Sequence, residues 1–307
     1  MRALATAVAA ALLLAGAAVT SAPGEETLRV CLDENVPPYS MRHGGGGAGF
    51  DVAVAAALAK RLGKSLTVQW FETKVETDSS TTLAANALLS DGRCALVGGY
   101  PLIKDALGKP AAETARLPDY DGATLADRRR RVALGTLVPS KPYHYAPLTV
   151  VLAPGVAKPI TRLADLDGLK LVVEAATLAD TILMTFADGR LVNHVTHLVP
   201  GRGELLPRLE QGGFDATLVP LHRFDAYRAE HPETRLTPTG YYYPIGFNMG
   251  FVGLSTAAAL LEQVSAAVGD LVAGGELPAL AQAAGMTYVP PRQPEVRQSL
   301  SLGDLHE

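Results

Sequence analysis

Apolar and polar positions alternate at the start of the patterned chain. Leu28, Val30 and Leu32 share one side of an extended segment, which predicts a strand. Pro37 and Pro38 fix φ and end that ladder. Gly44 to Gly47 mark a surface loop. From Phe50 onward Val54, Ala57, Leu58, Arg61 and Leu62 keep helical spacing, and Gly63 stops the helix. A strand over residues 66–71, a helix over 81–92 and a strand from Cys94 through Gly99 follow. Strand–helix–strand–helix–strand order predicts parallel pairing with right-handed crossovers. In such sheets the ligand crevice lies at the carboxyl ends of the strands, where Asp33, Glu34 and Asn35 are placed to meet a ligand. The plainer alternative is a unit that only builds the sheet.

Residues 101–126 break the pattern with Pro101, Pro110 and Pro118, and predict a long irregular excursion. Four arginines follow, Arg128 to Arg131. Such a run is a solvated face or helix end, unless one member turns into the crevice to hold a carboxylate or phosphate. A second α/β unit follows, with strands at 148–153, 169–174, 194–199 and 216–219 and a helix from about Leu178. Residues 241–254 read as a returning strand and 255–285 as two helices. The expected organisation is two lobes: 27–147 plus 246–290, and 148–245. Two strands cross between them as a hinge, and 291–307 form a loose polar tail.

Composition narrows the class. The chain has 307 residues, 48% of them hydrophobic and 19% charged, with a net charge of −4. That is enough for a real core, and it lacks the basic face a nucleic-acid binder needs. Arg2, a long uncharged apolar run and a small-residue stretch predict a secretory signal peptide over residues 1–22, cleaved between Ala17 and Ala22. No later stretch reads as long enough to span a bilayer. The two cysteines of an exported chain, Cys31 and Cys94, are expected to pair, since adjacent parallel strands bring them within reach. No metal or cofactor constellation is visible. Asp33, Glu34, Glu174 and His144 are the acid–base candidates, but no nucleophile accompanies them.

Several passages together resemble the family 3 periplasmic solute-binding proteins. They are RVCLDENVPPYS, the Gly49-Phe50-Asp51 helix start, ITRLADLDGLKLVVEAATLAD and LEQGGFDATLV. A narrower likeness is to accessory proteins of periplasmic quinoprotein (methanol-type) dehydrogenases. It rests on Cys31, Asp33, Asn35, Pro38, Tyr39 and Ser40, on Cys94, Val97, Gly99 and Pro101, and on Lys141, Pro142 and Tyr143. The resemblance implies an α/β, two-lobed periplasmic-binding-protein type II fold, each lobe a mostly parallel sheet flanked by helices, joined by two hinge strands. It implies a periplasmic, monomeric, non-enzymatic protein without cofactor. Such a protein closes on a small organic solute and hands it to the membrane permease of an ABC-type uptake system. The alternatives are a dehydrogenase accessory and a dehydratase-like enzyme on the same fold. The ligand residues it implies are Asp33, Asn35, Tyr39, Gly99, Tyr100, Arg128 and Thr177, with Arg128 as the carboxylate clamp. The family's second-lobe aspartate, which pairs an amino group, falls at Pro220. That departure argues against a standard amino acid and toward an apolar or carboxylate ligand, or none.

Overall fold

The computed structural model describes residues 26–43, 46–73 and 81–299. The expected signal peptide, part of the glycine loop and the last eight residues of the tail lie outside the described residues.

The first half opens with β1 (Thr27–Asp33). A small antiparallel ladder follows, of β2 (Asn35–Val36), β3 (Ser40–His43) and β4 (Gly46–Ala48). Next come α1 (Phe50–Arg61), β5 (Ser65–Glu72), α2 (Thr81–Ser90) and β6 (Leu96–Pro101). β1 lies between β5 and β6 and is parallel to both, as the element order predicts. The Cys31–Cys94 disulfide joins β1 to the segment entering β6, with a Cα–Cα distance of 5.6 Å.

Residues 101–135 are more ordered than their composition suggests. β7 (Thr114–Arg116) pairs with β9 (Arg131–Ala133), β8 (Asp119–Tyr120) extends the sheet beside β5, and α3 (Leu125–Arg129) is a single capped turn. Leu102, Ala115, Leu117, Tyr120 and Val132 pack with Cys31, Phe71, Val97 and Tyr100. The excursion is therefore a second apolar layer over one face of the sheet. Isolated apolar residues without a period carry no signal for it.

β10 (Leu137–Leu152) then leads into the second half, with β11 (Leu171–Glu174), α4 (Leu178–Thr185), β12 (Val195–Leu198), α5 (Leu205–Gln211), β13 (Ala216–Pro220) and α6 (Leu221–Glu230). The chain returns along β14 (Thr237–Leu254) and ends in α7 (Ala258–Ala273) and α8 (Leu277–Ala283). One nine-stranded sheet runs through both halves in the order β12-β11-β13-β10-β14-β6-β1-β5-β8. Its flanks are parallel except at the β8 edge, which runs antiparallel to β5, and the sheet is antiparallel where β10 and β14 cross. Pro139, Pro142 and Pro147 have no N–H to give the β10–β14 ladder, and its register shifts near all three.

Two expectations change. The segment Ser255–Ala273 is long and apolar enough to cross a membrane by length and composition. Here α7 instead buries Leu261, Val264, Val268 and Leu271 in the core shared with β1 and α1. The tail beyond 290 is also held. Asn248 donates to the carbonyls of Arg292 (2.6 Å), Pro294 (3.2 Å) and Glu295 (3.0 Å) and accepts from the Arg292 N–H. Arg297 exchanges backbone bonds with Leu102 and Lys104. One buried amide holds a stretch whose own side chains are polar, so hydropathy alone leaves it loose.

Candidate functional site

Where the two halves face each other a cleft encloses about 350 Å³. The carboxyl ends of β1 and β6 supply one wall, those of β11 and β13 the other, and Ala146, Pro147, Phe247 and Met249 of the crossing strands its base. Apolar side chains dominate the lining, with a few convergent polar groups, which is the usual character of a small-molecule site.

The first wall is set by the turn after β1. The Pro38 and Tyr39 carbonyls accept the N–H groups of Phe50 and Asp51, seating the start of α1 against the turn. Gly49 makes this possible: its φ is 119°, and a Cβ there would stand 2.4 Å from the Tyr39 carbonyl oxygen. Asp51 is thereby buried at the cleft. Its Oδ1 accepts from the Tyr143 hydroxyl (2.8 Å), which itself accepts from the Gly99 N–H (2.7 Å). Its Oδ2 accepts no hydrogen bond among the described residues and lies 2.6 Å from where a Cβ on Gly99 would stand; with a φ of 63° there as well, any side chain at that position is strained. Burial raises the Asp51 pKa to about 7, and the Tyr143 bond only partly opposes it. Asp33 accepts the backbone N–H groups of Asn35 (3.0 Å) and Thr73 (3.3 Å).

Behind this wall His144 is fully buried, with neither ring nitrogen hydrogen-bonded. It packs on Tyr39 (4.9 Å between ring centres) and Phe50 (5.3 Å). Burial lowers its pKa to about 3; the Tyr145 backbone opposes the shift without reaching hydrogen-bond geometry. Tyr39 also meets His222 of α6 at 4.7 Å, linking the two walls.

The second wall is built by two strand–helix junctions. β13 runs directly into α6 at Pro220, which puts His222 and Arg223 in the helix's first turn. The buried Asp225 carboxylate holds α6 in place by accepting the Thr287 N–H (2.7 Å) and hydroxyl (2.9 Å). Glu174 ends β11 with its side chain 3% exposed, and both its oxygens accept from the Arg223 guanidinium, the Nη2–Oε1 bond at 3.3 Å. Burial, then the Arg223 charge, lower the His222 pKa to about 4. Thr177 caps α4, accepting from the Asp180 N–H and donating to the Glu174 carbonyl. No cluster of three His, Cys, Asp or Glu suited to a metal occurs among the described residues.

Asp33, Tyr39, Gly99 and Thr177 therefore come together on the cleft. Asn35 lines an adjoining cavity that shares Val36, Leu205, Val219, His222 and Arg223 with the cleft. Tyr100 and Arg128 are elsewhere. Tyr100 points behind the sheet and donates to the Ala106 carbonyl at 2.6 Å. Arg128 sits on α3, half-exposed and ion-paired with Asp119 at 2.8 Å, because the Thr124–Asp127 capping box fixes this turn on the outer layer. It clamps nothing in the cleft. Of the acid–base candidates, Glu174 is held by Arg223 and His144 lies behind Tyr39; Glu34 is beside Arg42 at 3.8 Å. Sequence reasoning missed Asp51, His222 and Arg223 as cleft residues. Only the Gly-Phe-Asp helix start hinted at the first, and nothing local marks the others.

No family model and no curated protein sequence matches the chain. Solved structures do match. The L-cystine solute receptor of Neisseria gonorrhoeae, in its unliganded open conformation, superposes with a TM-score of 0.61 at 19% identity, over 88% of this chain and 97% of that one. The second substrate-binding domain of Lactococcus lactis GlnP gives 0.58 at 17%, over 84% and 95%. A histidine kinase sensor domain with similarity to periplasmic binding proteins gives 0.52 at 19%, over 87% and 99%. This chain thus has the two-lobed periplasmic-binding-protein fold.

Proposed function

We propose that this is an exported solute-binding protein whose two lobes close about β10 and β14 on a small organic molecule, which it delivers to a membrane permease. The observation that carries this reading is the cleft itself: about 350 Å³, mostly apolar, at the carboxyl ends of strands from both halves. The binding roles named for the cystine receptor and the GlnP domain favour it. The sensor domain is a reminder that one fold serves several roles, so the site must carry the argument. A panel of small solutes tests it by thermal unfolding. A true ligand at about a hundred times its Kd stabilises by about 2.7 kcal/mol and raises Tm. A panel that leaves Tm unchanged defeats the reading. The accessory-protein reading rests on the sequence motif around Cys31 and Cys94 alone; co-purification with a quinoprotein dehydrogenase, with no solute effect, would favour it instead.

A further inference from the structure

Resting on that binding role, we infer that Glu174 occupies from within the one guanidinium of the cleft that could meet a ligand carboxylate. The cleft then takes apolar solutes that bear a hydrogen-bond donor and no anionic group. Arg223 is the single Arg or Lys among the described residues lining the cleft and its adjoining cavity. Both of its terminal nitrogens are directed to the two Glu174 oxygens. A two-toothed fork is the geometry by which arginine holds a ligand carboxylate, and here the protein's own carboxylate fills it. His222 beside it is held neutral at physiological pH. An entering carboxylate therefore meets a guanidinium whose terminal edge is already paired with a protein carboxylate, and it faces Asp33 on the opposite wall.

A donor is received differently. Asp51 lines the cleft and its Oδ2 has no protein partner among the described residues; once ionised, above about pH 7, it is an unpaired buried acceptor with a strong reason to bind a hydroxyl or ammonium. The second wall offers Pro220 at the end of β13, a residue with no N–H and no side-chain polar group. An α-amino acid, with its obligatory carboxylate, fits this charge arrangement poorly.

The test is a matched set of indoles with one body and different heads: indole-3-ethanol, tryptamine, indole-3-acetate and L-tryptophan, titrated calorimetrically at about pH 8, where Asp51 is ionised. Wild type is expected to bind the alcohol or the amine at least about tenfold tighter than the acid or the amino acid. Alcohol above amine assigns a neutral donor, and amine above alcohol a cationic one; both support the inference. Glu174→Gln frees the Arg223 fork and should raise indole-3-acetate affinity about tenfold or more relative to indole-3-ethanol. The gain should vanish in Glu174→Gln/Arg223→Gln. Equal or tighter binding of the acid or of tryptophan by wild type overturns the inference, as does a folded Glu174→Gln protein with no gain. Should that variant misfold, the wild-type ranking decides alone. Failure of both donor probes to bind in the millimolar range also overturns it. A Tm rise with a carboxylate solute would then leave the binding role standing, whereas a silent solute panel removes both.

Discussion

Each wall of the cleft has one buried carboxylate in its lining, and the two walls treat it in opposite ways. Asp51 on the first wall has a neutral hydroxyl for company, keeps one oxygen open and is pushed to a pKa of about 7 by burial. Glu174 on the second wall has both oxygens on Arg223. The partner therefore decides whether a buried acid remains an acceptor for a ligand or is consumed internally. The halves behind the walls differ in the same spirit. The first is braced by a disulfide, by the apolar layer of residues 101–135 and by the C-terminal strap on Asn248. The second is held by the packing of its clusters around β11 and β13.

The bracing can be broken first. Removing the disulfide with Cys31→Ala/Cys94→Ala releases a 63-residue separation and should cost about 4 kcal/mol in denaturant titration. Amide exchange should quicken in β1 and β6 while β11 and β13 keep their protection. Equal quickening in both halves would show that the staple braces the whole molecule.

The contrast between acids can be read from pH. Unfolded Asp51 ionises near 3.8 and folded Asp51 near 7, so between these values the folded state binds the extra proton and stability falls as pH rises. Carrying a carboxyl that far corresponds to about 4 kcal/mol. Asp51→Asn should lose this dependence and gain on wild type from about pH 4 to 7. His144 has the opposite sign: its unfolded pKa is 6.5 and its folded value about 3, so acidification in that window favours unfolding. His144→Met should flatten the acid limb and change neutral stability by no more than about 1 kcal/mol, because both ring nitrogens lack partners. Melting curves across pH check both, and parallel profiles for wild type and variants would refute the assignments.

Losing the strap should cost less than losing the disulfide. Asn248→Ala leaves three carbonyls and one N–H without their partner and should cost roughly 2–3 kcal/mol, with residues 292–297 exchanging fastest. A loss spread evenly over both halves would remove the strap from the list of first-half braces.

Much of this architecture is legible along the chain. Alternation at Leu28, Val30 and Leu32, helical spacing from Phe50 and the apolar runs at 148–153 and 169–174 are local periodicities, and the elements form where the periods predict. The layer built by residues 101–135 is not legible, since Leu102, Leu117 and Tyr120 have meaning only against Cys31 and Val97 of other strands. The arginine run misleads for a related reason. Residue type alone makes Arg128 a plausible clamp, yet the capping box at Thr124 orients its turn outward toward Asp119.

What the sequence by itself determined is the set of elements and their alternation, with Asp33 at the carboxyl end of the first strand; Tyr39 and Gly99 are marked only by the resemblance to a family. What only the tertiary structure decided is the charge state of the site. Asp51 faces the cleft because the Tyr39 carbonyl accepts its N–H, and Arg223 is spent because a residue 49 positions earlier ends an adjacent strand. Electrostatic environment depends on distance and burial in space, and neither is a property of neighbouring positions along a chain.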